Sequence, residues 1–300
     1  MNAIEITNLT KVFGEKQALA GLDMTVPVGS IYGFIGENGS GKSTTEKIIC
    51  GLMHPTSGEI KLYGKSHTDI DVRATVGVLI ESPGCFPNDT VWNNLMLHAT
   101  LLGLKEKDNE VRRVLTLVRM EGAASNKYKN CSLGMKQRIG IAMALLGKPK
   151  LLVLDEPING LDADGMRIMR EILCDITKEC SVLISSHILG ELEKIATHYG
   201  IIRGGKMIAQ MTAEELEKNC PTFVALKTND MQKTKLSLLK KYKRVEDDEQ
   251  KEYLRVYDAK STEEVVKYLY DNKIVVVEVK EDKIGLEEYY INLMKQGGKK

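Results

Sequence analysis

Residues 31–53 read IYGFI, GENGSGKST, TEKIICGLM: a short apolar run, a glycine-rich stretch, then a helix-forming segment. Gly36-Glu37-Asn38-Gly39-Ser40-Gly41-Lys42-Ser43 has the spacing GxxxxGK followed by Ser, and it lies in a strand–loop–helix setting. Without Cβ atoms, glycines let backbone N–H groups close around phosphates, and the helix that opens there adds its positive dipole end. Lys42 is suited to the β- and γ-phosphates, and the Ser43 hydroxyl is a hard oxygen donor for Mg²⁺. Thr44 continues the loop as a further nucleotide-binding candidate. The stretch predicts a nucleoside-triphosphate site, but alone it does not separate a kinase, a GTPase and an ATPase.

Outward from that loop, strands alternate with helices. LLVLDEP (151–157) is an apolar run ending in acids, as a strand buried on both faces would be. It carries Asp155 to the carboxyl end of a strand, where α/β sheets hold ligands. Asp155 is the candidate to hold Mg²⁺, directly or through water, and Glu156 the candidate to polarise the attacking water. SVLISSH (181–187) reads as another buried strand. Upstream, IEITNL and LDMTV flank a Gly14-Glu15-Lys16 turn, and EIKLYG and ATVGVLIE look like further strands. Residues 83–146 are largely helical in pattern. The whole predicts an α/β fold with a largely parallel sheet and an antiparallel, strand-rich N-terminal part. From about Thr212 the order becomes β-α-β-β-α-β plus a last helix, which matches a ferredoxin-like unit. Residues 213–300 are therefore expected to form a small α+β accessory domain, with GGKK (297–300) as a solvated tail.

Bulk properties narrow the function. The 300 residues suffice for one large domain and a smaller one, and 43% hydrophobic with 28% charged content is ordinary for a globular chain. Forty-two Lys+Arg against 41 Asp+Glu leave a net charge of +1, so no basic field draws nucleic acid, and none is expected as a partner. The six cysteines are scattered with no CxxC pair, as expected of thiols in a reducing compartment. MNAIEITNLTKVFGEK carries no secretion signal, and no apolar run approaches the roughly 20 residues that span a bilayer. A cytoplasmic chain that does not itself cross a membrane is expected.

The stretch between the two halves of the nucleotide site decides the class. Cys131-Ser132-Leu133-Gly134-Met135-Lys136-Gln137-Arg138 resembles the ABC signature LSGGQ with its basic tail, Ser132 and Gly134 falling in matching places. Leu133 replaces the first glycine of that pattern and Met135 the glutamine. A Ser hydroxyl and a nearby Gly backbone at a helix start make an anion site, suited to a γ-phosphate offered by a second subunit. Asn159-Gly160-Leu161-Asp162 resembles the D-loop. His187, closing SVLISSH, resembles the switch histidine. Phe13 occupies the place of the aromatic that stacks on adenine, an ordinary core Phe being the alternative.

The resemblance to ABC ATPases covers about residues 2–212 with the motifs in order, and implies a nucleotide-binding domain there. Its RecA-like P-loop core would carry an N-terminal antiparallel β subdomain and a helical subdomain at about 83–146. Where the family usually has glutamine, this chain has Glu81, within IESPGCFPNDT, a segment similar to that of ATPases from bacitracin-export and lantibiotic self-protection transporters. SLGMKQR and the terminal LEEYYINL point the same way. The resemblance implies an ATP-hydrolysing subunit powering export or membrane clearance of a peptide antibiotic or similar amphipathic substrate. ATP and Mg²⁺ are its implied cofactors, with Ser43, Asp155 and Glu81 as metal candidates. Its partners would be an integral-membrane permease, which would hold it to the inner face of the cell membrane, and a second copy or a homologous ATPase subunit. The alternatives are a soluble ABC ATPase acting on a non-transport target and a ligand-regulated sensory ATPase.

Overall fold

The computed structural model describes residues 1–248 and 252–296, and the chain divides into two compact units, Met1–Ala213 and Glu214–Lys300. The first unit opens with a long antiparallel hairpin, β1 (Asn2–Phe13) and β2 (Lys16–Pro27), in which Phe13 pairs with Lys16 across the Gly14-Glu15 turn. There follow β3 (Ile31–Ile35), α1 (Lys42–Ile49), β4 (Ser57–Leu62), β5 (Lys65–Ser66), α2 (Ile70–Arg73) and β6 (Val76–Leu79). Three longer helices come next: α3 (Val91–Leu101), α4 (Lys107–Leu117) and α5 (Leu133–Leu145). The unit closes through β7 (Leu151–Asp155), α6 (Ala163–Ile176), β8 (Ser181–Ser185), α7 (Leu189–Leu192), β9 (His198–Arg203) and β10 (Lys206–Thr212).

Two sheets form from these strands. One is antiparallel, in the order β2-β1-β4-β5; the other runs β10-β9-β3-β8-β7-β6. In the second sheet β9, β3, β8, β7 and β6 are parallel, and β10 is antiparallel to β9 at the edge. Every residue of β3 and β8 is buried, and β7 is buried up to Asp155, which explains why these strands read as unbroken apolar runs. Ile4, Leu9 and Leu22 of the antiparallel sheet share one core with Phe34, Val153 and Leu183 of the parallel sheet and with Ile48 of α1. This is the RecA-like α/β core with an N-terminal antiparallel subdomain.

Helix starts follow their caps. Thr90 accepts a hydrogen bond from the Asn93 amide, Ser132 from the Met135 amide and Asp162 from the Gly165 amide, opening α3, α5 and α6. Helices α3, α4 and α5 pack on one another as a helical segment of the unit. Two features differ from the sequence reading. The hairpin β9–β10 was not foreseen, because β10 is an edge strand on which only Met211 is buried. Strand β8 stops at Ser185, so His187 lies past its end, in the turn before α7.

The second unit carries α8 (Ala213–Asn219), β11 (Thr222–Thr228), α9 (Met231–Leu238), β12 (Val245–Asp248), β13 (Tyr253–Val256), α10 (Thr262–Asp271), β14 (Val276–Lys283) and α11 (Leu286–Gln296). Its sheet has the order β12-β13-β11-β14, with all neighbours antiparallel, the threading of a split β-α-β unit. Val224, Leu226, Leu238, Leu254, Val256, Val265 and Leu269 form its own core. Arg255 ties the sheet to α11, reaching Asp248 at 2.6 Å and Glu288 at 2.5 Å. Residues 297–300, expected as a tail, lie outside the described residues.

Candidate nucleotide site

The glycine-rich loop joins the carboxyl end of β3 to α1. Two of its glycines are required by their surroundings. A Cβ on Gly36 would meet the Ser40 Oγ at 2.5 Å and the Ile202 carbonyl at 2.6 Å. Gly41 has φ of 113° and would press on Leu19 and the Ala18 carbonyl. Inside the turn, the buried ammonium of Lys42 donates to the Gly36 carbonyl at 2.6 Å and to the Glu37 carbonyl at 3.2 Å. Glu37, Asn38 and Gly39 are exposed along the loop, Ser40 is buried, and Thr44 is half-buried in the first turn of α1.

Parallel pairing of β7 with β8 sets Asp155 beside Ser185. The Ser185 hydroxyl donates to Asp155 Oδ1 at 2.7 Å, while Oδ2 faces the Ser43 hydroxyl at 3.5 Å. Two hard oxygen groups, one from the loop helix and one from a strand end, thus converge, a donor set that suits Mg²⁺ completed by phosphate and water oxygens. Among the described residues no cluster of three or more His, Cys, Asp or Glu is placed to hold a metal alone. The next residue, Glu156, turns with φ of 50°, and its amide donates to the Ser185 hydroxyl and carbonyl, each at 3.2 Å. Its carboxylate receives His187, whose Nδ1 lies 2.7 Å and amide 3.3 Å from Oε2. The structure therefore brings Lys42, Ser43, Asp155, Glu156 and His187 together at the ends of adjacent strands.

Other sequence-predicted residues stand elsewhere. Ser132, Gly134 and Asp162 line a cavity of about 350 Å³, shared with Leu133, Gly160 and Leu161, that includes none of the cluster just described. Met135 does not line that cavity; its amide donates to the Ser132 hydroxyl at 3.3 Å as the helix cap. Glu81 is 72% exposed with φ of 67°, and its carboxylate pairs with Lys47 of α1 at 3.0 Å rather than joining the Ser43–Asp155 pair. Phe13 is 44% exposed at the hairpin end with the Lys11 ammonium 5.0 Å from its ring, so it is not a core residue.

Ser185 and Glu46 were missed in sequence. Ser185 is the hydroxyl that ends SVLIS, and a polar residue closing an apolar strand beside LLVLD was the available signal. Glu46 falls three and four residues beyond Ser43 and Lys42, a spacing that puts it on their face of α1.

A phosphate loop, a Ser–Asp oxygen pair and a strand-end Glu–His pair on a parallel sheet define a P-loop nucleotide hydrolase. The ABC transporter family profile matches residues 19–159. The chain is 35% identical to the bacitracin transport ATP-binding protein BcrA of Bacillus licheniformis, over 98% of each chain. It is 40% identical to the lantibiotic transport ATP-binding protein SrtF of Streptococcus pyogenes, over 69% of this chain and 90% of that one. A solved structure of the ATP-binding subunit of an ABC transporter superposes with a TM-score of 0.64 at 30% identity, over 72% of this chain and 92% of that one. The chain belongs to the ABC transporter ATP-binding family: it is an ATP-binding and ATP-hydrolysing subunit of an ABC transporter. The non-transport alternatives find no support among these matches.

Proposed function

We propose that this ATPase powers export or membrane clearance of a peptide antibiotic or a similar amphipathic substrate. The observation that carries the reading is the likeness to a bacitracin transport protein along 98% of both chains, second unit included. Among the described residues no helix is long and apolar enough to cross a membrane. In this reading the substrate path belongs to a separate permease, which holds this subunit to the inner membrane face. Cells deleted for the chain should become more sensitive to bacitracin or a lantibiotic, and the intact chain should restore tolerance. Unchanged inhibitory concentrations for both antibiotics would sink the substrate class. Expressed with its permease, the chain should fractionate with membranes, and a cytosolic distribution there would count against the docking.

Within the site, Ser43 and Asp155 would hold Mg²⁺ on bound ATP, and the ion would supply positive charge against the charge that develops on the phosphates. Lys42 and the loop amides bind the phosphates, Glu156 orients the attacking water, and His187 steadies the Glu156 carboxylate. Ser132 and Gly134 act in trans: their cavity stands apart from the Lys42–Glu156 cluster, which supports two subunits closing head to tail over two nucleotides. The second subunit is another copy or a homologous ATPase.

Glu81 acts on the metal side once its carboxylate leaves Lys47, and links the site to the permease-facing loop. Glu81→Gln should keep measurable ATPase activity, since an amide oxygen can still orient water, while its Mg²⁺ dependence moves to higher concentration. Glu81→Ala should lower antibiotic tolerance more than basal ATPase. A normal Mg²⁺ titration together with full tolerance would reduce Glu81 to an exposed acid in a surface ion pair, worth about 0–1 kcal/mol.

A further inference from the structure

The chain's net charge of +1 conceals one strongly basic stretch. Residues 231–244, MQKTKLSLLKKYKR, hold Lys233, Lys235, Lys240, Lys241, Lys243 and Arg244 and no acid. They form α9 and the turn after it. There the Leu239 amide donates to the Lys235 carbonyl and the Tyr242 amide to the Leu238 carbonyl, carrying the helical path on to Tyr242. Thr234, Leu238 and Tyr242 recur at every fourth residue and are buried, the last two in the core of the second unit.

On the opposite side, Lys233, Leu236 and Lys240, spaced i, i+3 and i+7, fall on one ridge turned away from that core. Leu236 is 67% and Leu239 46% exposed, so two large apolar side chains stand in water among lysines. The cations divide by position. On the flanks Lys235 pairs with Asp247 and Lys241 with Glu264 at 2.9 Å, and past the turn Arg244 pairs with Glu246 at 2.8 Å. Lys233, Lys240 and Lys243 are exposed and form no ion pair among the described residues. A merely solvated helix face mixes both signs of charge and keeps large apolar side chains off its outermost ridge. This one does neither.

That chemistry suits an anionic bilayer. Its headgroups offer phosphate at every point, so unpaired lysines meet charge without any matching spacing. The long lysine stems reach sideways to the headgroups while the leucines enter the boundary of the acyl chains. A protein partner would need carboxylates in register with the lysines and pockets for Leu236 and Leu239 as well. We propose that α9 and the turn after it form a docking ridge for anionic lipid headgroups, held by Lys233, Lys240 and Lys243, with Leu236 and Leu239 entering the interface. Three lysines and two leucines make a reversible contact rather than an anchor. The inference goes beyond the transport reading and does not depend on which substrate is carried.

The test is co-sedimentation of the full chain, without permease, with phosphatidylcholine vesicles and with vesicles that also contain phosphatidylglycerol. The wild type should bind the anionic vesicles and not the neutral ones. It should lose that binding in about 1 M salt, where charges act over only about 3 Å. Lys233→Gln, Lys240→Gln and Lys243→Gln should each weaken binding about fivefold, and the triple variant about 100-fold. Leu236→Ser combined with Leu239→Ser should weaken it about tenfold while leaving its salt dependence as steep. Lys105→Gln with Lys148→Gln, which changes two exposed lysines of the first unit, should bind like the wild type. Basal ATPase should be unchanged in every variant, since none of these residues belongs to the nucleotide cluster. Equal binding to neutral and anionic vesicles, a triple variant as tight as the wild type, or an equal loss in the first-unit control overturns the proposal. So does a wild type that binds no vesicle; capture of an acidic protein by the ridge would then mark it as a protein-binding surface instead. The vesicles hold no permease and no antibiotic is present, so none of these results bears on the transport reading.

Discussion

Glu156→Gln should bind ATP as the wild type does and hydrolyse it about 10²–10⁴-fold more slowly, the usual weight of a positioned general base. The substitution keeps the shape of the side chain. The backbone anchor also survives, because the amide of residue 156 donates to Ser185 whatever the side chain is. What is lost is the charge: the amide cannot accept a proton from water, and its pairing with His187 Nδ1, now at 2.7 Å, weakens to a neutral contact. The ammonium of Lys42 and the loop amides are untouched, so nucleotide affinity should hold. With cleavage failing and binding intact, the ATP-closed pair should persist, and sedimentation with ATP should show a dimer that the wild type shows only transiently. Turnover near the wild-type rate would remove Glu156 from the chemistry and leave His187 without its partner's role.

The contrast between Glu156 and Glu46 marks where sequence reading succeeds. Glu156 was visible because it follows an apolar strand, and strand ends are where parallel sheets present side chains to ligands. Lys42 and Ser43 were visible because the loop needs glycine where a Cβ would strike Ser40 or Leu19, and that need leaves a fixed spacing in the chain. The α/β core was legible for the same reason: strands buried on both faces write continuous apolar runs, as β3, β7 and β8 do. The β9–β10 hairpin left a weaker trace, since an edge strand needs only one buried face. Glu46 was hidden because a charged residue in a helix is read as solvent-facing unless its register against a known site residue is worked out. Glu81 was legible as a departure from the family pattern, but its pairing with Lys47 depends on where α1 and the loop after β6 meet, which local sequence does not specify.

Lys42→Ala is the other change with a large expected effect, and here the structure sharpens the reason. The ammonium is buried and already holds the loop closed through the Gly36 and Glu37 carbonyls. It therefore has two functions, cation for the phosphates and internal brace for the loop. Hydrogen bonds to charged groups contribute about 1.5–3 kcal/mol each, so losing the phosphate contact alone should weaken ATP binding about 10- to 100-fold. Alanine also leaves two loop carbonyls without their donor, which should loosen the turn around Ser40 and add to the loss. Lys42→Met separates the two effects: its unbranched stem keeps most of the packing of the lysine stem but carries no charge and no donor. If the brace matters mainly through packing, Lys42→Met should bind ATP better than Lys42→Ala while remaining as poor in hydrolysis. If charge dominates, the two should be equally weak. Lys42→Arg should rescue neither, because a planar guanidinium cannot fit where a compact ammonium meets two carbonyls inside a tight turn. Isothermal titration of the three variants with ATP decides between packing and charge. Wild-type affinity in Lys42→Ala would mean that the glycine-rich loop is not where the phosphates bind.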